Sequence, residues 1–193
     1  ADLLARQDAT VLAIVGGGVQ GHSHLQAFGD LRPWSQVLVA SRSTGSAAAL
    51  AARHPSGRVV SFEEAARRAD VVCLTTDAAE PVIDAAWVRP GTHVGSVGNK
   101  AELDPAFAEG TVFVEWMGAA TSAPPAGATE LQGIDPARVV EIGRVIGGDH
   151  PGRTSAEEIT VYKSTGHAME DAAAARLVLD LAVERGVGMR LPR

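Results

Sequence analysis

The chain has 193 residues, of which 46% are hydrophobic and 21% charged, a balance that is ordinary for one globular domain with a full core. Its 17 Lys and Arg against 23 Asp and Glu give a net charge of -6 without a basic cluster, so we expect neither nucleic acid nor an anionic membrane as a partner. Cys73 is the single cysteine, which excludes a disulfide or a thiolate metal site within one chain. No signal peptide or membrane-spanning apolar run is recognisable, so the predicted location is cytoplasmic.

The predicted elements alternate between strand and helix along the chain. After a short helical lead-in within residues 1–10, a buried strand is predicted over residues 11–15 and a helix over residues 19–28. Further strands are predicted over residues 36–40, 58–60, 70–76, 92–97, 111–116 and 158–162. Further helices are predicted over residues 44–53, 61–69, 137–146 and 166–185, and an extended loop over residues 117–133. This alternation predicts an α/β fold with a doubly wound parallel sheet, a single Rossmann domain over residues 1–193.

A glycine-rich turn joins the first predicted strand to the first predicted helix, and it is the strongest functional signal. Gly16 permits a sharp turn, Gly18 permits a pyrophosphate to approach the backbone, and Gly21 permits close packing of the helix on the strand. Val19 and Gln20 complete the first helical turn, where free N–H groups and the helix dipole favour phosphate. We therefore predict a dinucleotide site here; the alternative is a tight turn without a ligand.

The end of the second predicted strand bears on which dinucleotide binds. NAD sites usually place Asp or Glu there, where the carboxylate accepts the ribose 2′-hydroxyl and repels a 2′-phosphate. This chain has Ser41, Arg42 and Ser43 instead, and a guanidinium with two hydroxyls suits a phosphate dianion. NADP(H) is therefore predicted over NAD; the alternative is that Arg42 is a solvated loop residue and either cofactor binds.

Two other strand ends are expected to face the rest of the cofactor. Thr75 and Thr76 end one predicted strand, and Val97 and Gly98 end or follow the next. Ligands of doubly wound sheets bind at the carboxyl ends of the strands, so these residues should face the ribose and the nicotinamide.

With these pieces placed, the chain resembles the nucleotide-binding half of the ornithine cyclodeaminase and mu-crystallin family. The resembling stretches are residues 16–25 (Gly-Gly-Gly-Val-Gln-Gly-His-Ser-His-Leu), 75–76, 80–81, 91–98, 102–104, 159–166 (Ile-Thr-Val-Tyr-Lys-Ser-Thr-Gly) and 169–171. The resemblance implies a two-domain dimer whose members transfer hydride at a carbon–nitrogen bond or bind the cofactor without turnover. It also implies that Lys163, Ser164, Thr165 and Gly166 close over the nicotinamide, the alternative for Lys163 being a surface lysine at a strand end. The helix over residues 166–185 would pack toward the substrate domain.

Two departures from the family weaken a prediction of catalysis. The family's substrate domain, with its carboxylate-binding Arg and catalytic Lys, has no counterpart in these residues, and the loop after Gly98 is shorter than the family's loop, which in ornithine cyclodeaminases carries a catalytic Asp. We therefore assign no catalytic residue and keep two hypotheses. One is an NADP(H)-dependent oxidoreductase domain that acts on a small imine or amino acid, with a homodimer or a separate substrate domain as partner; the other is a cofactor-binding module without turnover.

The remaining polar candidates favour structural roles. Lys100 reads as a solvated turn lysine, with a place near the hydride face as the alternative. His22 and His24 lie two residues apart on a helix and so do not share a face, and we predict no metal site. Glu170 and Asp171 fall in the first turn of the last predicted helix, where negative charge is favourable.

Overall fold

The fold is built on one parallel sheet, seen in a computed structural model that describes residues 1–98 and 100–189. Within these residues eight strands pair in the order β3-β2-β1-β4-β5-β8-β6-β7, and every pairing is parallel. The strands are β1 (Val11–Val15), β2 (Gln36–Ala40), β3 (Gly57–Val59), β4 (Val71–Leu74), β5 (His93–Ser96), β6 (Val112–Val114), β7 (Val139–Glu141) and β8 (Thr160–Lys163). The sheet confirms the predicted doubly wound α/β class.

Several of the connections between these parallel strands contain α-helices. The α-helices are α1 (Val19–Gly29), α2 (Thr44–Ala51), α3 (Phe62–Arg68), α4 (Gly118–Thr121), α5 (Ile142–Ile146) and α6 (Ala168–Arg185). The Ser61 hydroxyl accepts a hydrogen bond from the Glu64 N–H at 3.0 Å and so begins α3 as predicted. Because each parallel strand enters the sheet from the same side, all strand ends meet along one edge, which carries the functional site.

The core lies on both faces of β1 and its neighbours. Leu12 and Ile14 pack into one apolar cluster, whereas Ala13 and Val15 pack into another. Successive strand residues point to opposite faces, so this division places β1 in the middle of the domain, with both faces covered. Cys73 lies in the first of these clusters, where it packs as a small buried hydrophobe.

Three predicted elements are wrong in type or extent. The lead-in over residues 1–10 forms turns rather than a helix, because so few residues cannot offset the cost of helix nucleation, and Leu4 and Ala5 are instead buried against the domain. The helix predicted over residues 137–146 is divided: Val139–Glu141 pairs with β6 as strand β7, Ile142–Ile146 is α-helical, and Pro136–Arg138 forms a 3-10 turn before the strand. The loop over residues 117–133 contains the short helix α4.

Helix α6 is exposed along its length, and none of its residues is buried in the described structure. It carries an apolar stripe, with Leu177 60% exposed, Val178 66% exposed, and Leu181 and Ala182 half-buried. Gly186 ends the helix in the left-handed conformation at φ 62°. Among residues 1–98 and 100–189, no helix has the length and apolar character needed to cross a membrane.

Candidate functional site

A cleft of about 1080 Å³ lies at the carboxyl edge of the sheet, where β1, β2, β4 and β5 end. In the strand order, β1 is the point from which the chain proceeds first to β2 and β3 and then, on the other side, to β4 and β5. Doubly wound sheets bind ligands at this switch point. The structure brings most of the predicted site residues into this cleft, namely Gly16, Gly18, Val19, Gln20, Ser41, Arg42, Thr75, Thr76, Val97 and Gly98.

The glycine turn is packed too closely for a side chain at Gly16, Gly17 and Gly21, and a Cβ on Gly17 would lie 2.8 Å from the Cβ of Ser46. Gly16 has φ +123°, and a Cβ there would lie 2.6 Å from the Thr75 hydroxyl oxygen and 2.8 Å from the Thr75 carbonyl oxygen. A Cβ on Gly21 would lie 2.0 Å from the Gly16 carbonyl oxygen. These contacts hold the start of α1 against the ends of β1 and β4, as the sequence predicted for Gly16 and Gly21.

The N-terminus of α1 opens into the cleft at Gly18. A Cβ on Gly18 would meet nothing within 4 Å, no side chain of the described residues caps the helix, and its first turn has no acidic residue. The first N–H groups of a helix have no partner within the helix, and the dipole places partial positive charge there. The open backbone at Gly18 therefore fits a pyrophosphate.

The three residues after β2 have different surroundings. Ser41 adjoins the glycine turn, since its hydroxyl oxygen lies 3.2 Å from where a Cβ on Gly17 would be. Arg42 is exposed at the cleft and makes no ion pair within the part of the chain that the structure describes. Ser43 is not among the residues that line the cleft. Its hydroxyl accepts a hydrogen bond from the Ser46 N–H at 3.2 Å and caps α2.

Glu102 was not predicted as a site residue, yet it joins the two strand ends on the other side of the cleft. Its side chain is fully buried, at 0% exposure. One carboxylate oxygen accepts hydrogen bonds from the Thr76 N–H at 2.7 Å and the Thr76 hydroxyl at 2.6 Å. The other accepts from the Ser96 hydroxyl at 2.9 Å, the Val97 N–H at 3.1 Å and the Gly98 N–H at 2.8 Å.

Lys163 lies behind the cleft rather than among its lining residues. Its ammonium group pairs with Glu130 at 2.8 Å and donates hydrogen bonds to the Ser96 hydroxyl at 2.9 Å and the Gly98 carbonyl at 2.5 Å. Lys163 is 0% exposed, so the alternative of a surface lysine is wrong. It reaches the cleft only through Gly98.

The segment after β8 is held by the end of β6. The Ser164 hydroxyl and the Thr165 N–H donate to the same Glu115 carboxylate oxygen, at 3.3 and 2.6 Å. The Gly166 N–H donates to the Ser164 hydroxyl at 3.2 Å. Ser164, Thr165 and Gly166 are not among the residues that line the cleft, so their closing over a nicotinamide stays a prediction.

Lys100 lies at the mouth of the cleft and pairs with Asp77 at 2.7 Å. The two side chains are 54% and 69% exposed, so this ion pair joins the loops after β4 and β5 in contact with solvent. Asn99 lies outside the described residues. In the loop after β5, which the sequence predicts to be shorter than the family's loop, the structure describes Gly98 and Lys100.

The other polar candidates lie away from these contacts. The His24 ring nitrogen is 2.8 Å from the Gln20 carbonyl oxygen within α1, and His22 faces Arg53 at 3.4 Å. Glu170 and Asp171 lie in the first turn of α6, where the helix dipole favours a negative charge.

The strand order, the glycine turn and the cleft at the switch point together define a Rossmann-type domain. The chain belongs to the ornithine cyclodeaminase/mu-crystallin family, whose sequence model matches residues 1–186.

Three similar proteins show how far the likeness extends. The mouse (Mus musculus) ketimine reductase mu-crystallin is 35% identical over 185 residues, which cover 92% of this chain and 57% of that protein. The structure of Thermococcus litoralis Delta(1)-pyrroline-2-carboxylate reductase in complex with NADH and L-proline superposes with a TM-score of 0.85 at 29% identity, covering 98% of this chain and 63% of that one. An archaeal alanine dehydrogenase dimer with bound NAD gives a TM-score of 0.84 at 30% identity, covering all of this chain and 63% of that one. The chain thus spans less than two thirds of the proteins that it matches.

Proposed function

We propose that this chain is the NADP(H)-binding domain of an oxidoreductase that transfers hydride at the carbon–nitrogen bond of a small imine or amino acid. The observation that carries the proposal is the cleft at the switch point, where the open N-terminus of α1 at Gly18 meets the ends of β2, β4 and β5. When bound, the nicotinamide of such a cofactor donates or accepts the hydride. The chain's own residues bind and orient the cofactor.

Each part of the cofactor has a counterpart in the cleft. The backbone at Gly18 would hold the pyrophosphate, because free N–H groups and the positive end of the helix dipole lie there. The ribose nearest the adenine would lie against Ser41 and Arg42, and the nicotinamide half against the ends of β4 and β5 at Thr76 and Gly98. An exposed guanidinium in place of an acidic residue supports NADP(H) over NAD.

The substrate class rests on the relatives. The mouse protein is named a ketimine reductase, and the Thermococcus litoralis enzyme was crystallised with NADH and L-proline. A ketimine has a carbon–nitrogen double bond and L-proline is an amino acid, which supports an imine or amino acid here. The two structural relatives reported above carry NADH and NAD, so cofactor preference must be tested on this chain.

The test is titration of NADPH and NADH against the purified chain, followed by the fluorescence of its 3 tryptophans. We expect NADPH to bind more tightly. Arg42→Ala should weaken NADPH binding about tenfold, roughly 1.4 kcal/mol, the low end for a charged hydrogen bond because Arg42 is exposed. It should leave NADH binding unchanged, and Arg144→Ala on exposed α5 serves as the matched control. If neither dinucleotide binds, the proposal is wrong; if both bind equally, only the NADP preference is wrong.

A second candidate function is a cofactor-binding module without turnover. It is favoured by the lysines near the cleft: among the described residues Lys163 lies behind the lining, and Lys100 is paired with Asp77 in contact with solvent. Under the oxidoreductase proposal, by contrast, the groups that bind the substrate would come from a separate substrate domain or from a second copy of the chain. Oxidation of NADPH by the chain with small cyclic ketimines, or with 2-oxo acids plus ammonia, would exclude this second candidate.

A further inference from the structure

The peptide groups of Gly98 are held from both sides, at the point where β5 reaches the cleft. The Gly98 N–H donates to Glu102 at 2.8 Å, and the Gly98 carbonyl accepts from the Lys163 ammonium at 2.5 Å. A Cβ on Gly98 would lie 2.5 Å from the Thr76 carbonyl oxygen and 2.8 Å from the Glu102 carboxyl carbon. The ends of β4 and β5 are therefore locked to each other through Glu102.

Glu102 is suited to this role because an ionised carboxylate only accepts hydrogen bonds and has about four lone-pair sites. Its two oxygens divide their donors by strand, Thr76 on one and the residues after β5 on the other. Since the carboxylate is fully buried, water cannot replace an acceptor that is removed. Loss of one oxygen as an acceptor would release one strand end.

The donors to Glu102 belong to the cleft, whereas Glu102 itself does not line it. Thr76, Val97 and Gly98 all line the cleft. Ser96, the last residue of β5, directly precedes Val97. A purely stabilising carboxylate could be placed anywhere in the domain. This one is bonded to the backbone that, under the proposed function, faces the nicotinamide.

We propose that Glu102 is a positioning residue that fixes the nicotinamide-facing ends of β4 and β5 and thereby sets the affinity for the nicotinamide half of the cofactor without touching it. This inference rests on the proposed function. It predicts a division between the two halves of the ligand, because the adenosine half lies against Ser41 and Arg42, on elements that Glu102 does not contact.

The test compares NADPH with 2′,5′-ADP, which carries only the adenosine half, on wild type, Glu102→Gln and the control Glu64→Gln. Glu64 is a glutamate on α3 whose side chain is 44% exposed and pairs with Arg68, so the control makes the same chemical change in contact with solvent. Dissociation constants are measured by calorimetry and folding by thermal unfolding. The glutamine amide cannot accept where the second oxygen did, so we expect Glu102→Gln to bind NADPH about tenfold more weakly and 2′,5′-ADP within about twofold of wild type. Glu64→Gln should change neither.

Ser96→Ala is the milder second variant, in case Glu102→Gln does not fold. It removes one donor to Glu102 without altering a cleft-lining residue, and we expect about threefold weaker NADPH binding with 2′,5′-ADP unchanged. Equal weakening of both ligands, or NADPH binding as in wild type by a folded Glu102→Gln, would overturn the positioning role. A wild type that binds 2′,5′-ADP and NADPH equally well would also overturn it, whereas a wild type that binds neither would overturn the proposed function and this role with it.

Discussion

Replacement of Lys163 by methionine should destabilise the domain strongly, and the structure provides the magnitude. Lys163 and Glu130 form an ion pair at 2.8 Å with side chains 0% and 1% exposed. Removal of the ammonium leaves the Glu130 carboxylate buried, and one of its oxygens already has no partner among the described residues. Breaking such a buried pair costs about 3–5 kcal/mol. A folded domain has only about 5–15 kcal/mol in total, so the loss is a substantial fraction of its stability.

Urea unfolding followed by circular dichroism measures this loss. With a slope of about 2 kcal/mol per molar urea, a loss of about 4 kcal/mol lowers the midpoint by about 2 M. Lys100→Met is the matched control, since Lys100 forms an ion pair of 2.7 Å with Asp77 but in contact with solvent. Exposed pairs contribute about 0–1 kcal/mol, so this variant should shift the midpoint by less than about 0.5 M.

The reasoning would be refuted if Lys163→Met unfolded at the same urea concentration as Lys100→Met. A double variant separates the two parts of the effect. Lys163→Met combined with Glu130→Leu removes both charges, and replacement of a whole buried pair by apolar residues is often close to neutral. We expect the double variant to recover more than half of the loss.

Four shorter predictions concern other parts of the chain. Gly16→Ala should abolish NADPH binding and lower the melting temperature, because its Cβ would lie 2.6 Å from the Thr75 hydroxyl oxygen; a variant as stable as wild type would contradict the turn geometry. Burial holds the pKa of His93 well below its usual 6.5, so as the pH falls below about 6.5 the unfolded chain takes up a proton that the folded chain does not. The free energy of unfolding should therefore fall by up to about 1.4 kcal/mol per pH unit toward pH 5. Urea unfolding at several pH values should show that the free energy of unfolding of His93→Gln depends less on pH. Burial raises the pKa of the Cys73 thiol to about 12, so Ellman's reagent at pH 8 should react only after urea unfolds the chain, and rapid reaction of the folded chain would count against the buried position. The exposed apolar face of α6 should cause self-association in sedimentation velocity, reduced by Leu177→Glu; a wild type that stays monomeric at high concentration would remove this prediction.

The central strands of the fold could be predicted because their signal is local. β1, β2 and β4 are apolar along nearly all of their length and are bounded by turn residues, and a run of that kind has few other stable placements. The third strand is displaced by one residue from its predicted position, which is the expected error at an edge. β7 was missed because three residues carry too little periodicity, and only pairing with β6 makes Val139 and Val140 a strand.

The residues of the candidate site also fall into two groups, those that the local sequence predicts and those that it does not. The glycine turn and the strand ends could be predicted because the chemistry follows from chain order: strand, glycine turn, helix. Ser43 shows a limit of that reasoning, since the same hydroxyl that suits a phosphate also suits the cap of α2, and only the structure shows that it makes the cap. The link that Glu102 makes between the two strand ends could not be placed from spacing, because Thr76 lies 26 residues away, and the contact of Lys163 with Gly98 spans 65 residues.

The carboxyl end of β5 shows why stability and cofactor binding are joined in this domain. A cleft that receives a flat ring needs exposed backbone at the ends of β4 and β5, yet exposed strand ends lose their ladder partners and tend to fray. Buried side chains supply those partners. The Glu102 carboxylate accepts from the Gly98 N–H and the Lys163 ammonium donates to the Gly98 carbonyl, while the Ser96 hydroxyl is hydrogen-bonded to both side chains. Glu102 and Lys163 thus bind the two peptide groups of one residue, Gly98, so a change at either one should affect folding and the nicotinamide half together. Ser41 and Arg42, which the proposal places against the adenosine half, lie at the end of another strand, so binding of that half should be retained.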